Sequence, residues 1–256
     1  MSTLSRPALG DLLAYLGEMG YGDLYLKPSP RAARAATAST AARPAAAPVA
    51  VPVAFPVSAP LDEAAARRAA ELAALAGVAA GCTRCRLAEG RNKVVFGAGN
   101  PSAELMFVGE GPGAEEDRQG LPFVGAAGEL LSKIIQAIDR TREQVYIANV
   151  VKCRPPGNRD PQPDEVATCR GYLDQQIALV RPRVLVALGR VAAQTLLGND
   201  SPIGRMRGQW FQVQGIPTMV TYHPAALLRN AALKRPTWED MQQVRDFLLA
   251  DPAGSL

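Results

Sequence analysis

The sequence predicts an α/β fold, a parallel sheet covered on both faces by helices. Three observations carry that expectation. Four short apolar runs, residues 104–108, 145–151, 184–188 and 218–222, have the composition and length of buried strands. Helical stretches separate them, and strands that alternate with helices pair in parallel. The residue types that can do chemistry cluster in the loops that leave three of those strands, which is where such sheets carry their sites.

The elements follow in order. Asp62 is placed to cap a helix of Ala, Leu and Glu running to about residue 80. The strand 104–108 leads into a Gly-rich loop, and a helix is expected over 125–139. The strand 145–151 ends in a long basic loop, and Pro163 opens a helix to Val180. After the strand 184–188 comes a helix over 190–197. The strand 218–222 meets His223-Pro224, where the proline opens a short helix, and a last helix spans 237–250.

The first sixty residues are built differently. Residues 31–60 are mostly Ala and Pro, with Arg31, Arg34 and Arg43 and no acidic side chain, a composition that makes a flexible tether rather than a core. Ahead of it, in residues 1–30, Leu12, Leu13, Tyr15, Leu16 and Met19 recur at helical spacing. They read as a short docking helix for a protein partner or for the domain's own surface, with a poorly ordered tail as the plainer alternative. The domain itself is expected over residues 61–256.

Composition excludes several classes. The chain has 256 residues, 48% of them hydrophobic, enough for one full core. No run of about eighteen apolar residues occurs, so no membrane span is expected. Residues 1–10 lack the charged start and apolar run of a secretory signal, which implies a cytoplasmic protein. The net charge of +4 permits a polyanionic partner without requiring one.

The four cysteines are the strongest local signal. Cys82 and Cys85 form a Cys-x-x-Cys pair, and Cys153 and Cys169 follow with fifteen residues between them. In a cytoplasmic chain this set reads as four thiolate ligands for one metal centre. Zinc and an iron-sulfur cluster both accept four sulfurs. Zinc ribbons close with a second tight knuckle, whereas here the second pair is spread over a loop and a helix, which favours a cubane.

Three loops carry the remaining candidates. The first, Gly109-Glu110-Gly111-Pro112-Gly113-Ala114-Glu115-Glu116-Asp117, formally fits the G-x-G-x-x-G/A dinucleotide pattern. Three acidic residues at the helix start and the amide lost at Pro112 argue against a pyrophosphate. A tight loop bringing Glu110 and Glu116 to a flat ligand is the alternative, with Phe123 downstream as either a core residue or a stacking surface. The second loop runs from Asn149, whose planar amide can read the edge of a base or cap a turn, through Lys152, Arg154 and Arg159. These three basic residues are expected to face phosphate. In the third loop, His223 is the chain's one histidine. Leu227 and Leu228 are core residues, or one is a wedge for a base stack.

Together, Gly109-Glu-Gly-Pro-Gly-Ala-Glu-Glu-Asp, Gly120-Leu-Pro-Phe-Val-Gly, Asn149-Val-Val-Lys-Cys-Arg-Pro-Pro and His223-Pro-Ala-Ala-Leu-Leu-Arg, with the interleaved cysteines, resemble the family 4 uracil-DNA glycosylases. The resemblance covers residues 61 to about 250. It implies a three-layer α/β/α sandwich around a four-stranded parallel sheet, a structural [4Fe-4S] cluster, and excision of uracil from DNA; the expected partner is uracil-containing DNA, double- and single-stranded, met by a monomer. Some relatives in this superfamily crosslink to DNA through a histidine in an inserted basic loop; with one histidine, this chain is expected to turn over normally.

On that resemblance Phe123 stacks on the flipped base, and Asn149 accepts from uracil N3–H and donates to O4. Gly111 lines the pocket and Glu116 stands near C5 against thymine. Glu110 stabilises the sugar cation or orients water, and His223 hydrogen-bonds O2. Leu228 is the wedge, with Leu227 its competitor, and Arg229 clamps phosphate. Two other classes stay open at this point: a non-catalytic iron-sulfur DNA-binding module, and a nucleotide-dependent enzyme using the Gly109 loop.

Overall fold

The computed structural model describes residues 63–250. The docking helix, the Ala/Pro tether and the Asp62 cap lie outside the described residues. The element order is α1 (Glu63–Ala80), α2 (Leu87–Gly90), β1 (Ala98–Gly99), β2 (Leu105–Gly109), α3 (Ala114–Gln119), α4 (Ala126–Ala137), β3 (Tyr146–Asn149), α5 (Pro163–Val180), β4 (Val184–Leu188), α6 (Arg190–Leu197), α7 (Ile203–Met206), β5 (Trp210–Val213), β6 (Ile216–Thr221), α8 (Pro224–Arg229) and α9 (Lys234–Leu249).

The sheet has six strands in the order β1-β3-β2-β4-β6-β5. Its central four, β3, β2, β4 and β6, are parallel and form the sheet expected from the sequence. The expected strand count is corrected by two antiparallel edges: β1 pairs with β3, and β5 pairs with β6. The β5–β6 hairpin turns on Gln214 and Gly215, whose φ values of 52° and 77° match the two left-handed positions of a tight type I′ turn.

The helices cover both faces, as period-two alternation of the buried strands requires. Met106, Val108, Tyr146, Ala148, Leu185, Ala187 and Val220 join one cluster with α1, α5 and α6. The alternate strand residues, including Phe107, Ile147, Val186 and Met219, are equally buried and point the other way. On that side lie α4 and α9, whose Leu131, Ile135, Met241 and Val244 are buried. The result is a three-layer sandwich.

Local chemistry fixes the elements that frame the loops. Helix α5 begins with Pro163 at N1 and a reciprocal box in which the Gln162 N–H donates to Glu165 Oε2 at 2.7 Å. It ends at Arg181 in the left-handed region. Helix α3 starts inside the first loop and carries Glu115, Glu116 and Asp117 in its first turn, where the helix dipole favours negative charge. Asp117 is fully buried and accepts from the Asn92 backbone N–H at 2.9 Å and from Asn92 Nδ2 at 2.5 Å, which ties α3 to the segment after α2. Among the described residues no helix is long and apolar enough to cross a membrane.

Candidate active site

The parallel register sets β2 and β3 so that Gly109 stands beside Asn149. A Cβ on Gly109 would lie 2.4 Å from Asn149 Oδ1 and 2.6 Å from Phe123 Cζ. Glycine is therefore what lets the amide and the ring meet over the end of β2. Asn149 is 1% exposed, and its Oδ1 has no hydrogen-bond partner. A buried acceptor left unpaired costs about 1–3 kcal/mol unless something else fills it. This one lines a cavity of about 370 Å³.

Phe123 is held against that amide by its backbone and its neighbours. It has a φ of 53°, rare for an aromatic residue. Gly128 is what admits its carbonyl, since a Cβ there would sit 1.9 Å from the Phe123 oxygen. Arg142 Nη2 donates to the Pro122 carbonyl at 2.8 Å. Glu116 Oε1 accepts from the Val124 and Gly125 N–H groups at 2.9 and 3.0 Å, so this carboxylate pins the loop that presents the ring.

His223 lines the same cavity, its ring centroid 5.5 Å from that of Phe123 at an interplanar angle of 33°. It caps α8: the Ala225 N–H donates to His223 Nδ1 at 3.1 Å. Burial, with the nearby Arg229 charge, pushes its pKa down to about 4, while Glu116 acts weakly the other way. The ring is therefore neutral at pH 7, and with Nδ1 accepting, its proton is on Nε2. The bare backbone of Gly189, at φ 89°, makes room for this side chain; a Cβ there would approach His223 Cβ to 2.9 Å.

Glu110 follows β2 and lines the same cavity. Burial, reinforced by the neighbouring Asp160 carboxylate, raises its pKa to about 7, and Arg190 opposes the rise. Arg190 is itself ion-paired to Asp160. The site thus pairs a neutral imidazole with a carboxyl poised at neutrality, flanking one amide.

The structure brings Glu110, Gly111, Glu116, Phe123, Asn149 and His223 into one cavity, with Arg159 and Arg229 also on its wall. Other expected residues lie elsewhere. Lys152 is corrected: its side chain is 1% exposed, with Nζ donating to the Asn149 carbonyl at 2.7 Å and to Gln176 Oε1 at 2.5 Å, so it cannot touch phosphate. Desolvation lowers its pKa to about 8. Arg159 is corrected in part, because its guanidinium forms a two-pronged pair with buried Glu165 at 2.9 and 2.7 Å. Arg154 is half-buried, with Nε donating to Asn158 Oδ1 at 2.7 Å. Leu227 is buried within α8, whereas Leu228 is 53% exposed. Sequence reasoning missed Asp160 and Gln176. A lone Asp in a Pro-rich loop and a Gln in a helix carry no signal until their neighbours are known.

The cysteines form a second site. All four are free thiols; Cys153 and Cys169 are buried, Cys82 and Cys85 half-buried. They surround a small cavity of about 20 Å³ with Arg84, Arg91, Lys152 and Tyr172. Arg91 Nη1 donates to the Cys82 carbonyl at 2.6 Å and to Cys153 Sγ at 3.3 Å, and the Lys152 backbone N–H donates to Cys169 Sγ at 3.4 Å. Among the described residues no three Cys, His, Asp or Glu side chains converge at single-ion distance. The thiols ring a space, with N–H donors aimed at sulfur, a donor set suited to a thiolate-bound cluster.

Comparison with known proteins decides the family. Residues 96–242 match the model of the uracil DNA glycosylase superfamily. The chain belongs to this superfamily. Among its relatives, a type-4 uracil-DNA glycosylase of Sulfurisphaera tokodaii is 45% identical over 177 residues, 66% of this chain and 80% of that protein. One from Thermotoga maritima is 44% identical over 173 residues, 65% of this chain and 89% of the relative. A type-5 uracil-DNA glycosylase of Pyrobaculum aerophilum is more distant, 31% identical over 175 residues, covering 62% and 76%. In this superfamily member the motif-bearing loops all open onto the one cavity that holds Asn149.

Proposed function

We propose that the protein is a uracil-DNA glycosylase acting in base excision repair: it flips uracil from DNA and hydrolyses the bond between uracil N1 and the sugar C1′. The observation that carries this reading is the buried, unpartnered Oδ1 of Asn149, a residue that lines the same cavity as Phe123 and His223. Uracil N3–H supplies the donor that this oxygen lacks, and uracil O4 accepts from the Nδ2 amide. Cytosine inverts both atoms, so the same amide rejects it. A flipped base fits beside the Phe123 ring.

The chemistry follows from the two titratable groups. As the N1–C1′ bond breaks, its electron pair passes to the uracil ring and positive charge gathers on the sugar. The neutral His223 Nε2–H donates to uracil O2 and stabilises the leaving anion without carrying a charge of its own. Glu110, as carboxylate, stabilises the sugar cation or orients the water whose oxygen bonds to C1′, and one water proton ends on the departing uracil. Glu116 stands by C5 as a steric guard against thymine while it holds the Phe123 loop. Exposed Leu228 fills the gap left in the stack and Arg229 holds phosphate at the rim.

The ring of Cys82, Cys85, Cys153 and Cys169 is proposed to hold a structural [4Fe-4S] cluster, supported by the sulfur-only donor set and the N–H groups aimed at it. When bound, the cluster braces the loops on either side of the cavity and takes no part in the hydrolysis. The protein is read as a cytoplasmic monomer acting on double- and single-stranded DNA, with residues 1–30 available to a protein partner.

The direct experiment incubates the full chain with oligonucleotides containing one uracil and measures free uracil and abasic sites. Release from U:G and U:A duplexes, with none from thymine or cytosine, is expected. Tight binding to uracil-DNA without release would instead identify a non-catalytic binding module.

A further inference from the structure

We infer that Lys152 is a positioning residue that couples the cysteine-lined centre to the aim of Asn149. Its side chain is buried, and the stem folds back three residues so that Nζ donates to the Asn149 carbonyl at 2.7 Å. A second Nζ donor is taken by Gln176 Oε1 at 2.5 Å. Gln176 is also buried, and its Nε2 donates to the Phe96 carbonyl at 2.8 Å and faces the Tyr146 hydroxyl at 3.2 Å. The same lysine's backbone N–H donates to Cys169 Sγ at 3.4 Å, and its carbonyl accepts from the Val95 N–H at 2.8 Å.

Gln176 and Cys169 are seven residues apart on α5, two turns along one helical face. One helix therefore presents both the thiol that holds the Lys152 backbone and the amide that holds its side chain. At the other end Asn149 has no hydrogen bond to its own Oδ1, so only backbone placement and packing against Gly109 and Phe123 direct that oxygen. Lys152 fixes the backbone carbonyl of that same residue. An ammonium bound to two neutral oxygens in a dry interior is retained at a cost in desolvation, which points to a role in geometry.

This inference rests on the reading of the cavity as a uracil pocket. The test is a double-mutant cycle in the full chain, using Lys152→Met, Asn149→Ala and the pair, read by single-turnover uracil release, abasic-DNA affinity and iron content. Lys152→Met is expected to slow release about thirtyfold when Asn149 is present and less than about twofold when it is Ala, because its effect passes through that amide. Lys152→Arg, which keeps the donors, recovers part of the loss, and abasic-DNA affinity and iron stay near wild type. Equal losses in both backgrounds, or a loss that tracks iron, overturn the inference. If Lys152→Met does not fold, Gln176→Met takes its place with the same cycle; failure of both to fold makes the lysine purely structural and also overturns it. Absence of release by the wild-type chain overturns the uracil reading instead, before any variant is compared.

Discussion

Gly109 and Asn149 are partners in the parallel register of β2 and β3, and the side chain missing from the first is the space occupied by the amide of the second. Gly109→Ala forces a methyl to 2.4 Å from Asn149 Oδ1 and against the Phe123 ring. Overpacking of this kind costs about 1–3 kcal/mol in stability. Uracil release should fall at least about a hundredfold, well beyond the effect on melting, because both groups proposed to contact the base move. A folded Gly109→Ala protein with wild-type turnover would show that the pocket tolerates a shifted amide.

Asn149→Asp replaces the proposed donor to uracil O4 by an acceptor in the same volume. Single-turnover uracil release should drop by roughly 2–4 kcal/mol in transition-state stabilisation. Weak cytosine release is the informative gain, measured on matched C:G and mismatched C:A duplexes. An unchanged uracil rate removes Asn149 from base recognition.

The reaction should depend on pH through Glu110. Its carboxyl titrates at about 7, raised by burial and by Asp160, and the proposed active form is the carboxylate. The rate therefore rises as pH increases through 7 and falls about tenfold per unit below it. His223, titrating at about 4, is neutral throughout that range and adds no limb of its own. Glu110→Gln should flatten the profile at a low rate. Asp160→Asn removes the neighbouring negative charge, lowers the Glu110 pKa and moves the limb toward acid. A limb that stays in place in Asp160→Asn would detach Glu110 from the chemistry.

The two leucines of α8 separate by burial. Leu227→Ala should lower stability by about 2–4 kcal/mol, as a core truncation does. Leu228→Ala is a surface change and should alter stability by no more than about 0.5 kcal/mol. It should nevertheless slow release from a U:A pair while leaving a single-stranded substrate nearly unaffected. Equal loss on both substrates removes the wedge role.

Purified protein should be brown and carry about four irons per chain. Cys153→Ser should lose iron and thermal stability before base selectivity changes. Stoichiometric zinc in protein made under iron-replete, anaerobic conditions contradicts the cluster.

Much of the fold was legible because its signals are local. Helices α5 and α6 and strand β4 occupy the residues expected for them, since Pro, Gly and continuous apolar runs mark their ends. Strand β1, two residues long with a glycine, has no periodicity to detect. Strand β5 was legible only in part: Trp210-Phe211-Gln212-Val213 shows no clean apolar-polar alternation, and the Gln214-Gly215 turn after it is its one local signal. Lys152 was misread because charge alone suggested a surface, and only the return of the chain after Asn149 toward Gln176 places it inside. Arg159 was misread for a related reason, since Glu165 lies six residues on and the ion pair depends on how α5 begins.

The engagement of Arg159 by Glu165 has a consequence for how the protein searches a genome. An arginine held internally is one fewer to displace counterions from duplex phosphates, so on the proposed function Arg159 should add little to the fall of DNA affinity as salt rises. On the proposed function, residence on DNA then depends less on the charge of this loop than on whether a base can be drawn into the cavity.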